Sequence, residues 1–436
     1  MAHPREPRKA LIAWCLYDWA NSAFPTIIST FIFATYFTTA VAPDKTTGTV
    51  MWGNTLAVSG VAIAVLAPIM GAISDARGPR KSSLALFTAL AVACAALLWF
   101  VTPDPSAIWP ALILVGLGTL GFELSLVFYN AMLPELAPPG RLGRWSGWGW
   151  GLGYLGGLCC LVIALFGLIQ ADPPPFGLAR ESAEHIRATT ILVALWFALF
   201  SLPIFVLVPD RPANGDVPSL PVAVRTGLAQ LWRTVRNVRE KANANIARYL
   251  ISRMFYIDGL NTLFSFGGVY AAGTFGMSID QVILFGIALN VAAGLGAAAF
   301  AWVDDWLGSK RTVLLGLGAM IAFGTPLLFV TSTTLFWVFG LALSVFFGPV
   351  QAGSRSFMGH LAPPDLRTEM FGLYALSGKV TAFLGPALLA WATGLFDSQR
   401  AGMAMVVLLI AAGAIILTTV RAPQAGAASG GSDASR

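Results

Sequence analysis

Six ionisable residues lie inside long apolar stretches of this chain: Asp18, Glu123, Arg253, Asp258, Arg355 and Lys379. A charge facing lipid is costly, so each must face a bundle interior, a watery cavity or another member of the set. The chemistry they offer is binding and proton exchange rather than bond making. A carboxylate there can take a proton, an amine or a hydrogen-bond donor. Beside a cation such as Lys379 or Arg355 its pKa can move either way, so the sequence does not single out a proton carrier. Around Asp18 the stretch YDWANSAFPT adds Asn21 and Pro25. Proline removes the backbone bond to the carbonyl four residues earlier and kinks the helix, which predicts a free carbonyl at Asn21. Asp18 lies three residues before Asn21, on roughly the same face, about 12 Å inside one helix end. An acid, an amide and a free carbonyl on one face form a cation-seeking surface. The second reading is a structural lock, in which Asp18 pairs with a neighbouring helix and Arg253 serves Asp258 in the same way.

Other chemistries find little support. No nucleophile–base pair and no metal-ligand constellation accompanies these residues, so no enzyme is expected. Cys15, Cys94, Cys159 and Cys160 fall within apolar stretches without metal-ligand spacing. His3, His185 and His360 lie in tails, loops or a span end, which leaves no mid-membrane histidine relay. The letters GLGYLG at 151–156 match a dinucleotide fingerprint, but no strand precedes them. Their glycines are read as a close-packing face. No Gly-Lys-Ser/Thr phosphate loop is present. No cofactor is expected, and energy would come from a gradient, most simply of protons through Asp18, Asp258 or Glu123.

The elements that must position these residues follow from composition. The chain has 436 residues, 56% hydrophobic and 11% charged. Its apolar runs are about 20 residues long, the length a helix needs to cross a bilayer, and too long and uniform for barrel strands. The reading is an all-α integral membrane protein of twelve spans, at about 11–41, 52–73, 82–101, 108–133, 146–169, 189–208, 248–273, 281–303, 311–331, 334–359, 370–394 and 401–420. No cleavable signal peptide is read at the start. With the N-terminus placed inside, twenty Lys and Arg fall in inward segments, Arg5, Arg211, Arg239 and Arg436 among them. Only Lys45, Arg180, Arg187 and Arg400 fall outward. That asymmetry predicts both termini in the cytoplasm. It also accounts for the net charge of +6 without a nucleic-acid partner. The basic segment 209–247 is expected to be a cytoplasmic linker, partly an amphipathic helix lying on anionic lipid.

The chain also repeats itself. DWANSAF at 18–24 and DGLNTLF at 258–264 share Asp-x-x-Asn-x-x-Phe. GAISDARGPRK at 71–81 and AWVDDWLGSKR at 301–311 share Asp-x-x-Gly-x-basic-basic. LAPP recurs at 136–139 and 361–364, with Gly147 and Gly372 at the matching offset. The order and near-constant shift indicate a six-plus-six duplication. Residues 11–208 and 248–420 are its halves, 209–247 the linker, and 1–10 and 421–436 cytoplasmic tails. Two such bundles around a central site fit a transporter that rocks between them.

The loop GAISDARGPRK resembles the signature loop of the major facilitator superfamily. WCLYDWANSAF, QAGSRS and FGLYALSGK resemble the vacuolar amino-acid effluxer family linked to autophagy. Pro79 and Ala301 depart from the loop pattern. The resemblance implies a twelve-helix fold with spans 1, 4, 7 and 10 lining a central cavity. Asp18, Glu123, Asp258 and Arg355 fall on those four spans. It also implies gating by Gly71, Asp75, Gly78, Arg80, Asp305, Gly308 and Lys310. The expected function is proton-coupled secondary transport of a small polar solute, an amino acid or similar zwitterion, with efflux as the implied direction. The protein would be a monomer in the plasma membrane, or the inner membrane of a bacterium. Asp18, Asn21, Asp258, Asn261 and Lys379 are the expected solute or proton site. Glu123, Arg355 and Gln351 are the expected gate or solute clamp. Glu123 sits about 16 Å and Arg355 about 9 Å from the inner ends, which predicts a Glu123–Arg355 ion pair closing the inner gate. Two alternatives stay open: a drug or lipid exporter of the same fold, and a non-transporting receptor or assembly protein.

Overall fold

Apolar runs of this length cannot leave backbone N–H and C=O groups unpaired in hydrocarbon, so each must fold as a helix. The computed structural model describes residues 8–210, 218–237 and 241–422, and the secondary structure in them is helical throughout. The tail residues carrying His3, Arg5 and Arg436, and linker residues Arg211 and Arg239, lie outside the described residues.

The first six segments are Arg8–Val41, Lys45–Arg77, Lys81–Leu97, Ile108–Leu136, Leu142–Ala164 and Glu184–Leu207. They are spans 1 to 6. The next six are Lys241–Phe275, Ile279–Leu307, Ser309–Leu327, Thr333–Leu361, the pair Arg367–Ser377 plus Leu384–Phe396, and Gln399–Thr418. They are spans 7 to 12. Nine helices among the described residues are long and apolar enough by themselves to cross a membrane. The remaining three have visible reasons. Span 7 is diluted by Asp258, Asn261, Thr262 and Ser265. Span 9 opens on Lys310 and Arg311, and span 11 is broken between Ser377 and Leu384.

Span 6 starts earlier than the apolar run predicts, because Arg187 is held inside the fold. Its guanidinium donates to the Trp99 carbonyl at 2.8 Å and lies over the Trp99 ring at 4.9 Å. Span 1 is not a plain kinked helix. Around Pro25 it turns into π-helix, over Phe24–Phe31, and does so again over Phe37–Val41. The missing proline N–H is accommodated by widening the turn.

Each half packs chiefly on itself, and the most extensive joins between the halves are span 2 with span 11 and span 5 with span 8. Both joints need glycine. A Cβ at Gly372 would overlap the Ala67 carbonyl oxygen, and one at Gly147 would meet the Ala297 oxygen at 2.7 Å. A linker helix, Leu220–Arg236, packs on span 2, with Gly227 against the backbone of Ala72 and Ile73. Its Val222, Leu228, Trp232 and Val235 are exposed. This helix marks one end of the bundle, the linker side.

Candidate functional site

On the linker side each half grips the other through its repeated loop. Asp75, at the end of span 2, accepts from the Thr368 hydroxyl at 2.7 Å and the Glu369 N–H at 2.8 Å, at the start of span 11. Asp305, at the end of span 8, accepts from the Arg144 N–H at 3.0 Å, at the start of span 5. Each aspartate therefore supplies an acceptor to the first turn of the opposite half, where helix N–H groups lack internal partners. Gly71 and Gly78 serve the first loop in different ways. A Cβ at Gly71 would overlap the Thr368 carbonyl, and Gly78 turns the chain at φ 94°. Gly308 turns the second loop at φ 85°.

Arg80 is fully buried. It reaches Asp75 at 3.3 Å, Glu135 at 2.9 Å and the Thr368 hydroxyl at 2.7 Å. Its counterpart Lys310 instead donates to the Thr418 carbonyl of span 12 at 2.9 Å. Sequence reading missed Asp304, which is buried and accepts from the Ser356 hydroxyl. The doubled Asp-Asp of the second loop was the available signal.

Deeper in, Arg355 closes the same side, but not with the expected partner. Its Nη1 lies 2.9 Å from Asp18 Oδ2 and 3.4 Å from Asn130 Oδ1. Nε and Nη2 donate to the Ser146 hydroxyl and carbonyl at 3.0 and 2.7 Å. The guanidinium sits 4.7 Å over Trp14 and 5.6 Å from Trp150. Arg355 is 3% exposed, so the ion pair is desolvated and fixed from spans 1, 4 and 5 at once. The predicted Glu123–Arg355 pair is thus replaced by Asp18–Arg355. Span 4 presents Asn130, not Glu123, at the depth of Arg355. Seven residues separate the two, about 10 Å along a helix. Asn130 and Ser146 escaped a sequence census confined to ionisable residues.

Glu123 instead meets Lys379, Nζ to Oε1 at 2.6 Å, across the halves. Lys379 sits in the break of span 11 and lines a cavity of about 410 Å³. Gln351, Asn261 and Ser265 line it too, with Ser22, Thr26 and Trp150. Asn21 does not: it is buried, and its Nδ2 has no hydrogen-bond partner among the described residues. The one-face surface expected from Asp18 and Asn21 is therefore split, with Asp18 spent on Arg355.

Asp258 is buried and accepts from the Gly385 N–H at 2.8 Å. Arg253 does not serve it. Arg253 Nη1 donates to the Tyr374 carbonyl and the Ser377 hydroxyl, at 2.8 and 2.7 Å. An apolar chamber of about 270 Å³, lined by Phe285, Phe336, Leu343 and Met320, adjoins the polar cavity and shares Phe264, Asn290 and Phe347 with it. No group of His, Cys, Asp and Glu suited to a metal occurs among the described residues.

The cavity faces away from the linker side. The first piece of span 11 packs on spans 2 and 4 of the other half, while the second piece packs on spans 12 and 7 of its own half. The halves are thus joined at the linker side and parted beyond it.

Among solved structures the fold is similar to the proton:xylose symporter XylE, with a TM-score of 0.72, 14% identity, and 96% and 97% of the two chains covered. It is likewise similar to the transporter FucP in its outward conformation, with a TM-score of 0.74, 11% identity, and 94% and 99% covered. Both are major facilitator proteins. By sequence the chain is 28% identical to the uncharacterised MFS-type transporter YxiO of Bacillus subtilis, over 94% of each chain. It is 22% identical to autophagy-related protein 22-1 of Penicillium rubens, over 61% of this chain and 47% of that one. The chain spans about half the length of these fungal relatives. The profile of the family described as "Vacuole effluxer Atg22 like" matches residues 42–429. The chain belongs to that family, with the multi-pass membrane fold of the major facilitator transporters and not that of an enzyme.

Proposed function

We propose that the protein is a proton-coupled secondary transporter that moves an amino acid or similar zwitterion by alternating access, in the direction of efflux. The observation that carries this reading is the Glu123–Lys379 pair. It sets an ammonium at the wall of a polar cavity and, in contact with it, a carboxylate from the opposite half. A zwitterion offers the complementary pair, its carboxylate for Lys379 and its ammonium for Glu123. Binding both would exchange one cross-half contact for two made through the solute. Of the three carboxylates considered for coupling, Glu123 is the most open, with 21% of its side chain exposed against 10% for Asp18. Protons are therefore assigned to Glu123. Asp18 takes the role of latch. With Asp75, Asp305 and Arg80 it closes the linker side, and the excess of basic residues in the inward segments supports a cytoplasmic position for that side.

Counterflow of labelled amino acids in proteoliposomes, with and without an imposed pH gradient, tests the reading. Lys379→Ala is expected to abolish flux. Glu123→Gln is expected to lose uphill transport and keep exchange, since exchange needs no net change in protonation. No flux of any amino acid by the parent protein would overturn it. Orientation is tested separately. Single cysteines at Asp44, Asp104 or Gln399 in a cysteine-free background should label from outside the cell, and those at Ser82 or Asn237 should not.

A second reading, an exporter of drug-like or lipid-like solutes, draws on the apolar chamber beside the cavity. Competition by apolar amines stronger than by any amino acid would favour it.

A further inference from the structure

The break in span 11 leaves backbone groups that a continuous helix would have paired, at a depth where water is scarce. Several of them find partners within the break, and span 7 makes the decisive contacts at both ends. At the end of Arg367–Ser377 the Tyr374 carbonyl accepts from Arg253 Nη1, and the Ala375 and Leu376 carbonyls accept from Gly378 and Lys379 N–H. At the start of Leu384–Phe396, Leu384 N–H donates to the Thr381 carbonyl, and Gly385 N–H donates to Asp258. Pro386 has no N–H to satisfy, and Ala387 N–H makes the first helical bond, to Phe383. The charges also match the helix ends: a cation at a carbonyl end and an anion at an N–H end. Arg253 further lies 3.5 Å over the Tyr374 ring.

Glycines flank the break where these contacts fall. A Cβ at Gly378 would stand 3.1 Å from Arg253 Nη1, and one at Gly385 would overlap the Thr262 hydroxyl. Arg253 and Asp258 are five residues apart, about 7.5 Å along span 7, so one rigid helix spans the gap. Between the two ends lies Lys379, where span 11 passes from contact with the other half to contact with its own.

We propose that Arg253 and Asp258 are positioning residues for the solute site, a splint that holds the break open and fixes Lys379 in the cavity wall. Only the role given to Lys379 rests on the transport reading. The splint itself is tested without any solute.

In the full-length, otherwise cysteine-free protein in membranes, Lys379→Cys and, as a separate reporter, Ser265→Cys are labelled with a water-soluble methanethiosulfonate. Both positions line the cavity, and Ser265 takes no part in the break. Asp258→Leu is expected to slow labelling at position 379 about tenfold, the scale of one buried unsatisfied N–H, and to leave position 265 unchanged. Arg253→Met should do the same. Asp258→Asn should keep the parent rate, because its amide oxygen still accepts from Gly385. Unchanged labelling at 379 in both variants overturns the proposal, as does an equal fall at 265, which marks collapse of the whole cavity. Labelling as expected in a protein that moves no amino acid supports the splint and overturns the transport reading instead.

Discussion

Asp18 and Asp258 occupy the same position in the two copies of one repeat, yet they do different work. In the first half, span 5 is an unbroken helix that lies along span 1 on a row of glycines. A Cβ at Gly156 would overlap the Trp19 carbonyl, and one at Gly149 would meet Asp18 Oδ2 at 2.6 Å. With its backbone neighbours self-sufficient, Asp18 is available to reach across to Arg355 in the other half. In the second half the corresponding span 11 is broken, and Asp258 is used within its own half to cap the break. A duplicated carboxylate thus becomes a latch where its neighbour helix is continuous, and a splint where it is not. On the transport reading proposed above, the division separates the part of the molecule that opens from the part that binds.

The largest effect should come from the latch. Asp18→Asn leaves Arg355 buried without its carboxylate, and breaking such a pair costs about 3–5 kcal/mol. Asp258→Asn keeps an acceptor for Gly385 and should cost about 1 kcal/mol. Thermal unfolding in detergent separates the two, and equal losses would break the comparison. Next come the glycines. Gly156→Ala forces spans 1 and 5 apart, at about 1–3 kcal/mol. Gly378→Ala meets the end of the Arg253 side chain, at 3.1 Å, rather than backbone at close range, and should cost less by the same measurement. A costly Gly378→Ala would mean that the break is packed as tightly as the glycine row.

The smallest difference is expected between the repeated loops. Asp75→Ala removes the acceptor of a buried N–H and a hydroxyl and should cost about 1–3 kcal/mol. Asp305→Ala should cost about 0.5–1 kcal/mol, because its partner Arg144 keeps 29% of its side chain exposed. Both should raise cysteine labelling on the linker side, Asp75→Ala more. The reverse order would place the main grip between spans 5 and 8.

The apolar runs, the positive residues and the internal repeat determined the all-helical membrane class, the two halves and the positions of the repeated loops. These are local properties: a span must satisfy its own backbone, and a duplicated sequence keeps its helices in register. The embedded charges were legible for the same reason, since an ionisable residue in an apolar run stands out whatever surrounds it. Pairing was not legible. Counting along helices placed Glu123 against Arg355, whereas the packing of spans 1, 4 and 5 gives Arg355 to Asp18, Asn130 and Ser146 and leaves Glu123 for Lys379. Only the tertiary structure could decide this, because the partner of a buried charge is whichever group the packing of several helices brings within about 3 Å. The break in span 11 escaped sequence reading in the same way. Gly378, Gly385 and Pro386 permit an interruption, but Arg253 and Asp258, more than a hundred residues away, supply the hydrogen bonds that let it persist in the membrane.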